Sequence, residues 1–316
     1  MIHSPICEIV GIKYPIFQGG MAWIADGKLA AAVSNAGGLG IISAMNADSS
    51  YLREQIQIAR ALTGKPFGVN IMMQSPFAEE VANLVAEEKV PVVTTGAGSP
   101  ARFMEMWLEA GIKVIPVIAS VSMAKKMEKC GASAVVAEGQ ESGGHIGELT
   151  TMAIVPQVVD AVSIPVIAAG GIGDGRGFAA AFMLGACGVQ IGTRFLVAKE
   201  CGVHRNYKDA VLKANDISTA TTGRRFGGNT CRGIKNTFTR NFIKQEYAPD
   251  ATAETVANLG VGALRKAAVE GDVKNGSVLA GQISGMITKE QTAEEIVLEI
   301  MAQAEKLLGG ASAWVK

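Results

Sequence analysis

Eight short apolar runs, separated by segments of helix-forming composition, constrain this chain more than any other feature. They begin near Pro15 (PIFQGG), Leu39 (LGIIS), Phe67 (FGVNI), Pro91 (PVVTTG), Lys113 (KVIPVI), Ala134 (AVVAEG), Pro165 (PVIAAGG) and Gly188 (GVQIGT). Between them lie DGKLAAAVSNAG, SYLREQIQIARALTG, PFAEEVANLVAEEK, PARFMEMWLEAG, VSMAKKMEKCG, LTTMAIVPQVVDAV and DGRGFAAAFMLGA, several closed by glycine as helix ends commonly are. Continuous apolar strands alternating with helices indicate a parallel sheet buried on both faces. Eight such units close it into a (β/α)8 TIM barrel. The rival, an open doubly wound sheet, commonly carries a G-x-G-x-x-G turn; neither that turn nor a P-loop occurs.

After the eighth run the periodicity weakens, and it returns at TAEEIVLEIMAQAEKLL. The expected organisation is therefore a barrel over residues 1–198, an inserted lid or cap segment over 199–290, and a C-terminal helix over 291–316 that rejoins the barrel wall. The insertion begins basic: Lys199 to Asp250 holds ten Lys and Arg against five Asp and Glu. Such a stretch is either a solvated surface or a docking face for an anionic partner, built from Arg224, Arg225, Arg232, Lys235, Arg240 and Lys244.

The 316 residues carry no net formal charge and are 48% hydrophobic, the composition of a soluble globular protein. No nucleic-acid or membrane partner is expected. The five cysteines are scattered and odd in number, without a Cys-x-x-Cys pair, which fits the reducing cytoplasm better than a disulfide framework or zinc site. MIHSPICEIVG lacks the pattern of an export signal, and glycines and polar residues break the most apolar stretch, GFAAAFMLGACGVQIGTRF.

In a β/α barrel the active site lies at the C-terminal ends of the strands. Those ends supply Gln18, Gly19, Gly20 and Met21, then Ser43 and Ala44, Asn70, Thr94, Thr95 and Gly96, and after the sixth run Glu138 and the loop GQESGGHIG with His145. The seventh and eighth runs end in AAGGIGDGRG and QIGTRF, where barrels typically hold phosphate. Gly170, Gly171 and Gly173 can present bare backbone N–H groups, the following helix can aim its positive end at an anion, and Thr193 adds a hydroxyl.

IFQGGMAW, GGLGII, GVNIM, GQESGGHIG, IPVIAAGGIGDGRG and QIGTRF, in this order and followed by GSVLAGQISGM, resemble the FMN-dependent barrels of the nitronate monooxygenase-like group. Within it the chain is most similar to the flavin-dependent enoyl-acyl-carrier-protein reductases of bacterial fatty-acid synthesis. The resemblance implies one FMN per chain, its phosphate held by Gly170, Gly171, Gly192 and Thr193, with Ile172 beside them. The isoalloxazine would lie across Gly19, Gly20, Met21, Ala22 and Asn70, with Glu138, Gly143 and Gly144 nearby. It implies further a reduced nicotinamide (NADH or NADPH) as co-substrate, an acyl carrier protein as partner and a homodimer.

His145, set among glycines at a strand end, has little core to join, which favours a functional role. In an enoyl reductase it would stabilise the thioester oxygen or relay the proton to the α-carbon; in nitronate-oxidising relatives the matching histidine takes a substrate proton. Glu138 is expected to bond flavin or ribityl groups, and Glu141 to be solvated. His3 and His204 have no expected role, and no metal ligand set is identified. Three functions follow: enoyl-thioester reduction, nitronate oxidation by flavin and oxygen, or a non-catalytic flavin- or phosphate-binding barrel.

Overall fold

A computed structural model describes residues 2–44, 48–227 and 230–314. Each of the eight apolar runs forms a strand: β1 (Ile16–Gln18), β2 (Gly40–Ser43), β3 (Phe67–Met72), β4 (Val92–Gly96), β5 (Lys113–Ile118), β6 (Val135–Glu138), β8 (Val166–Ala169) and β9 (Gly188–Ile191). β7 (Gly144–His145) is a two-residue strand in the loop after β6, and β10 (Thr219–Thr222) and β11 (Cys231–Ile234) lie in the inserted segment.

The eight long strands are parallel and ordered β1-β9-β8-β6-β5-β4-β3-β2. The two ends meet: Leu39, just before β2, bridges Phe17 of β1 in parallel, and Gln18 N donates to Leu39 O at 2.9 Å. The buried Gln18 amide reinforces this seam, accepting from Ile41 N at 3.2 Å. Eight parallel strands in a nearly closed ring with helices between them make the TIM barrel that the alternating pattern dictates.

Alternate strand residues part to the two sides of the wall, as the two-residue repeat of a strand requires. Phe17, Ile41, Val92, Ile115, Val136 and Ile167 fill the barrel, whereas Ile16, Ile42, Val93, Val114, Val135 and Val166 pack outward. Both faces are buried, which is why the runs are continuously apolar. The barrel filling also takes in Ile6 and Val10 from a short helix, Pro5–Val10, capped by Ser4 and absent from the expected elements. The Ser4 hydroxyl also bonds Cys187 O, one residue before β9 begins, so this helix closes the end opposite the functional loops.

Residue 198 and residue 291 stand side by side, Lys199 N donating to Gln291 O at 2.8 Å. Beyond this junction the Ala293–Gly309 helix packs on the Gly175–Met183 and Gly27–Asn35 helices, and its Gln303 accepts from Gly175 N at 2.8 Å. The segment between holds helices Arg205–Leu212, Thr237–Glu246, Ala253–Leu259 and Ala263–Ala268. β10, β11 and β7 form a small antiparallel sheet, with Cys231 opposite His145 and Arg232 opposite Gly144. β11 thus holds the glycine-rich loop after β6 by backbone pairing. All five cysteines are free, and no described helix is long and apolar enough to cross a membrane.

Candidate active site

A cavity of about 330 Å³ opens at the C-terminal ends of the strands. Gly19, Gly20, Met21 and Ala22 line it from the loop after β1, and Asn70 from β3. Glu138 enters from the end of β6, with Gly143, Gly144 and His145 from the loop beyond. Gly170, Gly171 and Ile172 follow β8, and Gly192 and Thr193 follow β9. These residues, singled out from the sequence as catalytic or cofactor-binding, therefore border one space, whereas Gly173, expected beside them as a backbone donor, lines a separate cleft with Asp174 and Arg194. Gln18, Ser43, Ala44, Thr94 and Thr95 do not line it; they are buried in or beside the wall, while Gly96 reaches the cavity.

The loop after β8 turns sharply, with Gly170 at φ 88° and Gly171 at φ 71°, in the left-handed region that favours glycine. A Cβ on Gly170 would stand 2.6 Å from Gly139 O, so the turn is packed as well as strained. Among the described residues the backbone N–H groups of Gly171, Ile172, Gly192 and Thr193 find no acceptor, though Ile172 and Thr193 are buried. Two side-chain atoms on the cavity wall, Ser142 Oγ and Gln190 Oε1, are buried without a partner as well. Buried polar groups are normally satisfied, so this concentration of orphans marks a ligand cradle. Its chemistry, unpaired N–H donors from two glycine loops, fits a phosphate monoester, and the residues present suit FMN. The helix after the phosphate loop contributes less than the sequence implied. Its N-cap Asp174 already accepts from Arg176 N at 2.9 Å and Gly177 N at 3.4 Å, so a carboxylate occupies the positive end.

The loop from 139 to 147 is locked from three sides. Glu141, expected in solvent, instead accepts from Thr151 N at 2.9 Å through Oε2 and caps the Thr151–Val159 helix. The Thr151 hydroxyl stands 3.1 Å from the same oxygen and 2.9 Å from Gly170 O, joining the loop to the phosphate turn. Gln282 N donates to Glu141 O and Gly281 N to Thr193 Oγ1, each at 2.9 Å. The Thr193 hydroxyl proton stays available for a ligand. A Cβ on Gly143 would lie 2.6 Å from the Ala280 carbonyl carbon, so glycine is needed where the two segments meet. Buried Arg232 holds the third side, donating from Nε to Gln140 O at 3.0 Å; it is therefore a structural clamp and not part of a docking face.

Two titratable groups complete the site. Glu138 faces the cavity, and burial pushes its carboxyl up to about 7, partly offset by the Ser142 hydroxyl, whose contact falls short of a well-formed hydrogen bond. His145 is exposed at the mouth, and desolvation by the surrounding loops lowers its pKa, so the ring is neutral at neutral pH. Neither ring nitrogen bonds another described residue, leaving one N–H donor and one acceptor for a ligand. Thr94 donates to Asn70 Oδ1 at 3.0 Å, which holds the amide in place. His204, by contrast, accepts from Asn206 N and caps a helix. No described group of three or more His, Cys, Asp or Glu could hold a metal.

Sequence reasoning missed the apolar lining made by Leu264, Leu279 and Ile283, with Leu279 beside Gly144 and Ile283 against Gly173. It missed Gln190 and Ser142 too. GSVLAGQISGM carried a signal, since glycines in so short a span mark close backbone approach.

A β/α barrel whose strand ends enclose an anion cradle beside a neutral histidine defines a class of cofactor-binding barrel enzymes. The chain belongs to the nitronate monooxygenase family, an oxidoreductase family whose model matches residues 3–84 and 75–303. Its structure is similar to that of FabK from Thermotoga maritima, 44% identical with 100% of both chains covered and a TM-score of 0.96. A probable nitronate monooxygenase of Staphylococcus aureus is 33% identical over 96% of this chain and 98% of that protein. A Rhodococcus jostii protein, (3aS,4S,5R,7aS)-5-hydroxy-7a-methyl-1-oxo-octahydro-1H-indene-4-carboxyl-CoA dehydrogenase, is 32% identical over 96% of each.

Proposed function

We propose that the protein binds FMN and uses NADH or NADPH to reduce trans-2-enoyl-acyl-carrier-protein to acyl-acyl-carrier-protein in fatty-acid elongation, as a cytoplasmic homodimer. The observation that carries this is one cavity lined together by unpaired backbone N–H donors, His145 and the apolar side chains Leu264, Leu279 and Ile283. The full-length likeness to FabK supports it, as does a relative named for a thioester of coenzyme A.

Bound FMN would supply the two-electron redox chemistry that couples nicotinamide oxidation to reduction of the enoyl double bond. Gly171, Ile172, Gly192 and Thr193 hold the phosphate through backbone N–H groups, with Gly170 shaping the turn. Gly19, Gly20, Met21, Ala22 and Asn70 form the floor for the ring, and Glu138, Gly143 and Gly144 border it. His145 would donate its N–H to the thioester oxygen as negative charge builds there, and a proton taken from solvent would complete the α-carbon. Leu264, Leu279 and Ile283 exclude water around the acyl chain. Residues 199–290 act as the cap that completes the chamber.

Nitronate oxidation is the second reading, favoured by the family model and the Staphylococcus aureus relative. In it the neutral His145 would accept the α-proton of the parent nitroalkane as the nitronate forms. The two are told apart by product analysis of the purified protein given an enoyl thioester with each nicotinamide, or a nitronate with oxygen. We expect nicotinamide-dependent gain of two hydrogens by the thioester; an unchanged thioester alongside nitronate-dependent oxygen uptake contradicts the reductase.

A further inference from the structure

Glu138 ends β6 beside Ala169 of β8 and turns its carboxyl into the cavity. A carboxylate placed there to bind as an anion would be expected to have a cation or several N–H donors around it. It has neither. No cation acts on it among the described residues, and its one polar neighbour is the Ser142 hydroxyl, itself without a proper partner. The only other titratable side chains lining the cavity among the described residues are Glu141, engaged by Thr151, and His145 at the mouth. The neighbouring strands present Val117, Ile118, Gln190 and the glycine turns, and the cap presents Leu264, Leu279 and Ile283, none of them charged. Such surroundings suit a carboxyl only in its neutral form, in which it has a proton to donate as well as a lone pair to accept with.

We propose that Glu138 serves the cofactor as a protonated carboxylic acid, donating a hydrogen bond to an acceptor atom of the bound flavin, and that its ionisation weakens flavin binding. This rests on the FMN reading above. It makes Glu138 a positioning residue whose state couples cofactor retention to pH, and the direction of its shifted pKa agrees with the geometry.

The test is titration of the flavin-free, full-length protein with FMN between pH 5.5 and 8.5, followed by flavin fluorescence, for the wild type and Glu138→Gln. Riboflavin is run in parallel because the FMN phosphate titrates in the same range. The amide of Gln keeps a donor without a charge that can appear. Wild-type affinity for riboflavin is expected to fall by about tenfold per pH unit above about 7, as one proton lost on the free protein requires, whereas Glu138→Gln stays flat; with FMN the same difference between the two proteins is superimposed on the titration of the phosphate. Desolvation lowers the His145 pKa, so its titration lies below this change. Parallel profiles for the two proteins, or equal loss of affinity by Glu138→Gln at pH 6 and pH 8, overturn the proposal while leaving the FMN reading intact. A wild type that binds no flavin at any pH overturns both. Infrared spectra of the wild type provide a check that needs no variant: a protonated-carboxyl band in the FMN complex at pH 6 is expected, and its absence contradicts the proposal.

Discussion

Gly192 isolates the phosphate cradle from backbone strain. Gly171 lies at φ 71°, so any side chain there disturbs the turn whatever the ligand. Gly192 has φ −104°, and a Cβ on it would meet nothing nearer than Met21 Sδ at 3.8 Å. Gly192→Asp therefore adds a negative charge to the cavity wall with little local cost, opposite the phosphate charge. FMN affinity is expected to fall at least about a hundredfold, the effect of a few kcal/mol, while riboflavin affinity changes much less. Isothermal titration with both flavins measures this, and equal effects on the two would place the phosphate elsewhere. At this scale the sequence announced the backbone donors better than the side chains. Glycines at strand ends declare their purpose by type, whereas the partners of Glu141 and the orphaned state of Ser142 and Gln190 arise only when the loops after β6, β8 and β9 are brought together.

Among elements, the eight barrel strands were legible because burial on both faces forces unbroken apolar runs. β7 was not: two residues carry no periodicity, and in its partner β11 the residue opposite His145 is Cys231, 86 positions away. That pairing also explains Arg232. Opposite Gly144 its side chain is drawn inward to Gln140, so a residue that reads as basic surface becomes a buried clamp. Lys235 is exposed but its ammonium is engaged by Ile217 O at 2.6 Å. Arg224, Arg240 and Lys244 remain exposed with no carboxylate partner among the described residues, the last two one turn apart on the Thr237–Glu246 helix. An acidic carrier protein is steered by such charges at low salt. Reversing Arg240 and Lys244 to Glu is expected to lower kcat/KM for carrier-bound enoyl substrates several-fold and to leave the neutral N-acetylcysteamine thioester unchanged. Steady-state rates at two ionic strengths check this; equal rates with the carrier substrate at low salt would show that the patch is only solvated.

The molecule as a whole closes twice, once where Leu39 meets β1 and again where residue 198 meets residue 291. The first closure follows from counting strands. The second follows from the chain leaving the wall after β9 and returning as the Ala293–Gly309 helix, which packs on the Gly175–Met183 and Gly27–Asn35 helices. What the periodicity could not convey is that the cap supplies the apolar side of the chamber, since Leu264, Leu279 and Ile283 gain their meaning from loops far away in sequence. The central claim is that this chamber stations a flavin between a reduced nicotinamide and an enoyl thioester, with His145 acting on the thioester. Anaerobic stopped-flow absorbance of the flavin-loaded wild type and His145→Ala tests it most directly. The flavin colour is expected to bleach with NADH or NADPH at similar rates in both proteins and to return on adding an enoyl thioester, about ten to a thousandfold more slowly in His145→Ala. A wild-type flavin that the thioester fails to reoxidise, or a variant slowed equally in both steps, would contradict it.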